Sequence, residues 1–278
     1  ALTDSTMDPD MHDDGEDLKV SEFKKTMEYK LASGEVLTLE SYAQQRMRWP
    51  KMGHHILGTF TDTAILVYQA FNKSIADYAI ANQKFDGCLT FTNSRMTWIK
   101  PNFLWMMYRS NWAKSKDQER ILGIWLRLDG FHELLRLAEQ TSANKQYKSK
   151  EQWTKAVQTK KTLSDGSTFE GKVNIQWDPD HTPSGGKMMR RAIQIGIKNV
   201  PWWVTGEKFE RIVDMTDFVR EQRPHAQIDS AVYPDLCTPQ EKIYILPDPA
   251  EHVHCGAEST AEDKQAEAEF LLKHVSPQ

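Results

Sequence analysis

Apolar residues alternate with polar ones, or form short runs, at several places along the chain, and these patterns predict β-strands. The predicted strands are residues 64–70, 119–128, 173–177, 190–197, 211–215 and 243–247, with an extended segment at 95–100. Apolar positions at helical spacing predict helices at residues 73–83, 102–112, 131–139 and 217–222, and another near 151–160. Because strands and helices are mixed without strict alternation, we predict a single α+β domain with a mixed, mainly antiparallel sheet and flanking helices.

Turn and capping residues mark several predicted element ends. Pro101 is expected at the first position of the helix 102–112, where its missing N–H costs nothing. The pairs Asp129-Gly130 and Asp178-Pro179 are predicted turns. Thr238-Pro239-Gln240-Glu241 has the spacing of a capping box, which predicts one short helical turn.

Composition divides the chain into four parts. Residues 1–20 are rich in Asp without apolar periodicity, and we predict a disordered acidic tail. Residues 21–52 are predicted to be an N-terminal extension and residues 53–250 the globular domain. Residues 251–278 are predicted to be a second acidic tail, in which the His and Cys residues of 252–255 are solvated rather than bound to a metal.

The net charge of −4 conceals an asymmetry. Residues 1–17 contain seven acidic residues and no Lys or Arg, residues 257–278 carry −3, and residues 18–256 therefore carry +6. A basic body between acidic ends favours an anionic partner such as a nucleotide or nucleic acid. An ordinary scatter of charges is the alternative.

The composition itself, 39% apolar and 27% charged, is that of a soluble globular protein. No apolar run approaches about 18 residues, so no membrane span is expected. Three cysteines without metal-type spacing predict a reducing compartment, cytoplasmic or nuclear, and no metal site. Because the chain begins with Ala1 rather than Met, secretion after removal of a leader stays an alternative.

Aromatic and cationic residues are concentrated in residues 95–112, which hold three tryptophans, two arginines and one lysine. Such residues suit a pocket that stacks a flat ring and holds an anion, although residues 103–107 are expected to be core. Lys100 stands where a strand becomes a helix, so we expect its amine beside free backbone N–H groups that bind anions. Arg109 is the second candidate cation, and surface ion pairs are the alternative for both.

Polar residues on other strands supply the remaining candidates. Tyr68 and Gln69 end the first predicted strand, where side chains often line clefts. Gln176 and Asp178 share one strand face at period two, so Asp178 is the leading catalytic carboxylate with Gln176 beside it. Glu119, at the start of another strand, is its competitor. Packing or turn formation is the alternative to function in each case.

Residues 53–249 resemble the uncharacterised family catalogued as domain of unknown function 4291. The resemblance rests on residues 67–70 (VYQA), 96–101 (MTWIKP), 103–110 (FLWMMYRS), 118–119 (QE), 176–179 (QWDP) and 191–196 (RAIQIG). The resemblance implies that the chain is a member of this family, but it implies no activity, because the family is uncharacterised.

The order of elements is more distantly similar to that of ADP-ribosyltransferase-like domains, which implies a core of that type. The positions that would bind NAD are then Tyr68, Gln69, Thr97, Trp98, Lys100 and Arg109, with Gln176, Asp178 or Glu119 acting on the ribose. The chain lacks the usual Arg or His of the first strand and an unambiguous catalytic Glu. We expect an NAD-dependent ADP-ribosyltransferase-like enzyme acting on a nucleic acid or nucleotide. A non-catalytic nucleotide or nucleic-acid binding module and a protein-interaction domain are the alternatives.

Overall fold

A computed structural model describes residues 26–140, 161–162, 166–227, 232–248 and 254–257, so the segment 1–20 and the predicted helix near 151–160 lie outside it. Its helices are α1 (Tyr42–Arg48), α2 (Lys73–Asn82), α3 (Phe103–Ser110), α4 (Leu128–Leu137), α5 (Pro201–Thr205) and α6 (Thr216–Ala226). None of these described helices has both the length and the apolar character needed to span a membrane. The strands are β1 (Met27–Lys30), β2 (Val36–Ser41), β3 (Gly53–His54), β4 (Leu57–Gly58), β5 (Ala64–Phe71), β6 (Thr97–Ile99), β7 (Arg120–Arg127), β8 (Ala138–Gln140), β9 (Lys161–Thr162), β10 (Thr168–Phe169), β11 (Lys172–His181), β12 (Lys187–Lys198), β13 (Phe209–Asp214), β14 (Cys237–Pro239) and β15 (Lys242–Ile243).

The antiparallel sheet β13–β7–β5 lies between two hydrophobic cores. Along β5, Ile65 and Val67 pack into one core, while Leu66 and Tyr68 pack into the other. The first core also contains residues of α2, α4, β11 and β12, and the second contains residues of α3 and α6. Since both faces of the sheet are buried, β5 and β7 are nearly continuous apolar runs rather than alternating ones.

A second sheet of five strands is built on β12. Strand β11 pairs along one edge of β12 and places Gln176 opposite Gln194, and β8 pairs in parallel with β11. The other edge of β12 is shared by β3, which is parallel to it, and β6, which is antiparallel. The predicted α+β class with mixed, mainly antiparallel pairing is confirmed. The ADP-ribosyltransferase-like core stays a prediction.

The two sheets meet where β5 lies beside β6. The Tyr68 amide donates to the Lys100 carbonyl at 2.8 Å, and the Lys100 amide donates to the Tyr68 carbonyl at 3.1 Å. These two bonds form an isolated bridge and not a ladder. The backbone of Lys100 is therefore held at the junction of both sheets.

The N-terminal segment covers the second core. Strand β2 pairs with β1 on one side and with β14, from near the other end of the chain, on the other. Leu37, Leu39 and Tyr42 are buried in the second core, so the described part of the predicted extension packs against the domain.

Both predicted turns are wrong. Strand β11 continues through Asp178-Pro179 to His181, and β8 pairs only with its residues 173–175, so Pro179 lies where that edge of β11 carries no paired strand. Asp129-Gly130 lies in the first turn of α4. Gly130 is needed there for space, because a Cβ would lie 3.0 Å from the Lys208 side chain.

Residues 254–257 dock onto the second sheet. The Trp177 indole N–H donates to the Cys255 carbonyl at 2.8 Å, and Nδ1 of His54 lies 3.0 Å from the Gly256 carbonyl oxygen. Cys255 is buried. The expectation of a solvated tail is therefore wrong for these four residues, because Trp177 of β11 and His54 of β3 bind this segment.

Candidate functional site

A cavity of about 690 Å³ opens where the two sheets meet. The C-terminal end of β5, strand β6, the middle of β11 and β12, and α3 form its walls, together with loop residues 90–96 and 116–118. Six of the residues singled out from the sequence line it: Gln69, Thr97, Trp98, Lys100, Arg109 and Gln176. A volume of this size is in the range that small-molecule and cofactor sites occupy.

Positive charge predominates in the cavity wall. Among the described residues that line it, Arg95, Lys100, Arg109 and Lys116 are cationic and Asp117 is acidic. None of the four cations forms an ion pair with a carboxylate of the described residues. The electrostatic character of this wall favours anions over cations.

Lys100 is buried in the wall, with 2% of its surface exposed. Its amine donates one hydrogen bond, 3.3 Å long, to the Trp98 carbonyl. The pKa of this amine is lowered from 10.5 to about 7, mainly by burial; the Arg109 charge acts in the same direction and the Asp178 carboxylate in the opposite one. Near neutral pH the charged and the neutral form of the amine are therefore both populated.

The N-terminus of α3 is not the predicted anion site, because a carboxylate of the chain already fills it. Phe103 N–H donates to Glu241 Oε1 at 2.6 Å, and the Asn102 side-chain amide donates to Glu241 Oε2 at 3.0 Å. Asn102 is also the N-cap, since its Oδ1 accepts from Trp105 N–H at 2.8 Å. Pro101 thus precedes the cap instead of opening the helix.

Glu241 itself was predicted in a short helical turn, and the structure places it elsewhere. Residues 237–239 form β14, and Gln240 and Glu241 follow it outside any helix, so the capping-box prediction is wrong. Burial raises the pKa of the Glu241 carboxyl to about 8, although the bond from Phe103 N–H acts in the opposite direction. The sequence pattern identified a capping carboxylate but assigned it to the wrong helix.

Trp98 presents a flat surface to the cavity because it pairs with a glycine. Gly196 stands opposite Trp98 in the β6–β12 ladder. A Cβ at Gly196 would lie 3.0 Å from two atoms of the indole and 2.8 Å from Met96 Sδ, so only glycine lets the ring lie over β12. The indole makes no ring contact with another described aromatic residue, which leaves it open to stack on a ligand.

Gln69 and Thr97 contribute a hydrogen-bonding pair to the same wall. The Gln69 amide nitrogen contacts Thr97 Oγ1 directly. Its amide oxygen is buried and has no partner among the described residues. A buried acceptor left open in a cavity wall is suited to a ligand N–H or O–H.

A ladder of amides and one carboxylate forms the opposite wall. The Gln194 amide nitrogen donates to Gln176 Oε1 at 3.0 Å and to Asp178 Oδ2 at 2.6 Å. Gln176 lines the cavity, whereas Asp178 is held behind it by Gln194. Asp178 acts on the cavity through its charge, as its effect on Lys100 shows.

Three of the singled-out residues, Tyr68, Glu119 and Asp178, lie outside the cavity. Tyr68 points to the other face of β5, where it is fully buried with its ring 5.4 Å from that of Phe103. Glu119 accepts a hydrogen bond from Asp117 N–H at 2.9 Å and so shapes the loop beside the cavity. Alternation along β5 explains the first case, because adjacent residues of a strand face opposite sides.

Gln194 and Lys116 belong to the site but were missed. Gln194 could have been found, because a hairpin that turns at Gly185 pairs it with Gln176. Lys116 gives no comparable signal, since its loop reaches the cavity only through the packing of α3 and β7.

The family comparison agrees with the sequence resemblance. The model of the family described as domain of unknown function (DUF4291) matches residues 55–244, about two thirds of the chain, and the chain belongs to this family. No match is found among curated proteins. The matched segment contains every lining residue discussed above.

Proposed function

We propose that this DUF4291 protein binds NAD in the cavity between its two sheets and transfers the ADP-ribosyl group to a nucleotide or nucleic acid. One observation supports this most strongly. Six residues on or next to β5, β6, α3 and β11, which are far apart in the chain, converge on one cavity whose cations have no ion-pair partner among the described residues. A flat aromatic surface, guanidinium groups and open amides are the recognition groups that a dinucleotide needs.

The recognition roles follow from the wall in which each group lies. The nicotinamide ring stacks on Trp98, and its carboxamide donates to the open amide oxygen of Gln69. Arg95 and Arg109 bind the pyrophosphate, because guanidinium groups bind phosphate oxygens through two parallel hydrogen bonds.

The transfer step breaks the bond between nicotinamide and C1′ of the ribose, and the bonding electron pair leaves with nicotinamide. Positive charge develops on the ribose until the acceptor attacks C1′. The amide nitrogen of Gln176 makes no hydrogen bond with a described residue and donates to a ribose hydroxyl. Asp178, held in place by Gln194, supplies the negative charge that stabilises the developing cation.

Binding and turnover of NAD test the proposal together. Arg109→Ala should weaken NAD binding about tenfold in isothermal titration, a loss of about 1.4 kcal/mol. Arg211→Ala is the matched control, because Arg211 is an exposed arginine paired with Glu35 at 2.9 Å in a separate cavity. Gln176→Ala should slow nicotinamide release more than it weakens binding. An absence of both thermal shift and nicotinamide release with NAD would refute the proposal.

The position of Asp178 favours a second candidate, a non-catalytic nucleotide or nucleic-acid binding module. Its carboxylate is engaged by Gln194 and does not line the cavity, so the described wall offers the ribose no open carboxylate besides Asp117. This candidate predicts nucleotide or single-stranded nucleic-acid binding that weakens with salt, without any release of nicotinamide.

A further inference from the structure

We propose that Lys100 is a nucleophile that forms a covalent imine with an anionic aldehyde or ketone bound in the cavity. The inference rests on where the amine lies and on what surrounds it. It goes beyond the proposed function, because it does not require NAD to be the ligand.

The backbone of Lys100 is fixed and its amine is nearly unpartnered. Two hydrogen bonds to Tyr68 hold the main chain at the junction of the sheets. The side chain lines the cavity, and its amine makes one long hydrogen bond, to the Trp98 carbonyl, and no ion pair with a described carboxylate.

A lysine buried for structural reasons looks different in the same protein. Lys208, 6% exposed, binds the Glu133 carboxylate at 2.8 Å and lies 5.4 Å from the Trp202 ring. Buried charges are normally paired in this way, because an unpaired one costs several kcal/mol, by order of magnitude, in lost solvation. Lys100 has no carboxylate partner among the described residues, so its amine is left available for reaction.

The charges around the amine favour its reactive form. Burial and Arg109 on α3 lower the pKa of Lys100 to about 7, while Asp178 on β11 acts against them. The other charged groups of the described cavity wall are Arg95, Lys116 and Asp117. Because this pKa lies near 7, the neutral amine is far more abundant at pH 7 than in a lysine whose pKa has the ordinary value of 10.5.

The reaction needs no co-reactant. The nitrogen lone pair attacks the carbonyl carbon, and the carbonyl π electrons move to oxygen, which gives a carbinolamine after proton transfer. The nitrogen then expels this oxygen as water, and both original amine hydrogens leave with it. The product is an imine between Nζ and the former carbonyl carbon, in which nothing has been oxidised or reduced.

The cavity wall indicates the class of carbonyl compound. Arg95, Arg109 and Lys116 require an anionic group, and the Trp98 surface favours a flat one. Pyridoxal 5′-phosphate, an aromatic aldehyde with a phosphate, is therefore a suitable probe. Pyridoxal, the same aldehyde without the phosphate, is the control.

The test maps which lysines of the full chain react. Wild-type protein is treated with a limiting amount of the probe at pH 7, reduced with borohydride and analysed by peptide mass spectrometry. Lys100 should be modified at least about tenfold faster than the exposed Lys30 and Lys242, and the preference should fall with pyridoxal. Labelling of Lys100 no faster than that of these exposed lysines would overturn the proposal.

Two variants examine the mechanism. Lys100→Arg keeps a cation but cannot form an imine, so labelling at this position should vanish while circular dichroism stays unchanged. Arg109→Ala removes a charge that lowers the pKa, so half-maximal labelling of Lys100 should move to higher pH. The labelling rates of the wild-type lysines are measured without any variant, so they test the proposal even if a variant misfolds. Rapid labelling of Lys100 that NAD fails to block would support the imine and count against NAD as the ligand.

Discussion

At the scale of single residues, two buried ionisable groups near the start of α3 have opposite roles. Glu241 closes the N-terminus of the helix, and Lys100 lies in the cavity wall. Burial raises the pKa of the Glu241 carboxyl and lowers that of the Lys100 amine, because a low-dielectric environment penalises the charged form of each group. Glu241 caps the helix through its hydrogen bonds, while the Lys100 amine is available for chemistry.

Glu241 makes the stability of the protein depend on pH. Its pKa is about 8 in the folded protein and 4.5 as the ordinary value, so folding takes up a proton between these pH values. The stabilisation is complete below about pH 4.5 and is lost as the pH rises to about 8. Glu241→Gln should flatten the urea-unfolding free energy across pH 5–8, by up to a few kcal/mol in order of magnitude. A profile as steep as that of the wild type would contradict this assignment.

Gly196 is predicted to control the position of Trp98. Gly196→Ala should cost about 1–3 kcal/mol of unfolding free energy and weaken ligand binding, because the new methyl group displaces the indole. The control is the same substitution in a Trp98→Ala background, where the indole contact is gone and only the contact with the flexible Met96 side chain is left, so the cost should be smaller. Equal costs in both backgrounds, measured by urea denaturation, would show that the indole does not lie over Gly196.

At the scale of elements, the sequence predicts β5, β7 and α2 to within one residue at each end. Their apolar patterns are long, and Gly or polar residues bound them. The pattern fails at β11, where an Asp-Pro pair lies inside a strand, and at β14, which forms only because β2 pairs with it. Pairing between distant strands depends on tertiary context, which a local pattern does not contain.

Part of the site could be predicted, because several of its residues lie on strands that the sequence predicts. Gln69 could be named because it ends a predicted strand and Thr97 through the resemblance to ADP-ribosyltransferase-like domains, whereas Gln176 could be named because alternation assigns it to a face. The same rule, applied strictly, would have placed Tyr68 away from Gln69. No local sequence pattern predicts the bridge between Tyr68 and Lys100. That bridge joins the backbones of the two sheets.

Strand β13 is the edge strand of its sheet, and the Gln83 side chain covers its unpaired edge. Gln83 Oε1 accepts from Ile212 N–H at 2.6 Å, and its amide nitrogen donates to the Ile212 carbonyl at 3.0 Å. Gln83→Ala should destabilise the protein by about 1–3 kcal/mol and promote aggregation, because it exposes a strand edge. Asn82→Ala, a change at the neighbouring exposed residue, should have a smaller effect in the same urea titration. If the two variants are equally stable, the edge does not depend on this amide.

At the scale of the whole molecule, the cavity lies between two sheets that share the first hydrophobic core and are joined by one described backbone bridge. A ligand that contacts β5, β6 and β11 at once stabilises both sheets. At about 100 times its dissociation constant such a ligand adds about 2.7 kcal/mol to the unfolding free energy. The net charge of −4 does not prevent anion binding, because the described cavity wall carries four cations and one acidic residue.

Hydrogen–deuterium exchange with and without saturating NAD tests the central claim most directly, because it locates the binding site on the folded chain. The cavity site predicts slower exchange in residues 67–71, 96–109, 174–178 and 192–196, with residues 26–41 unchanged. No change in exchange at saturating NAD, or slower exchange confined to residues outside the cavity, would contradict it.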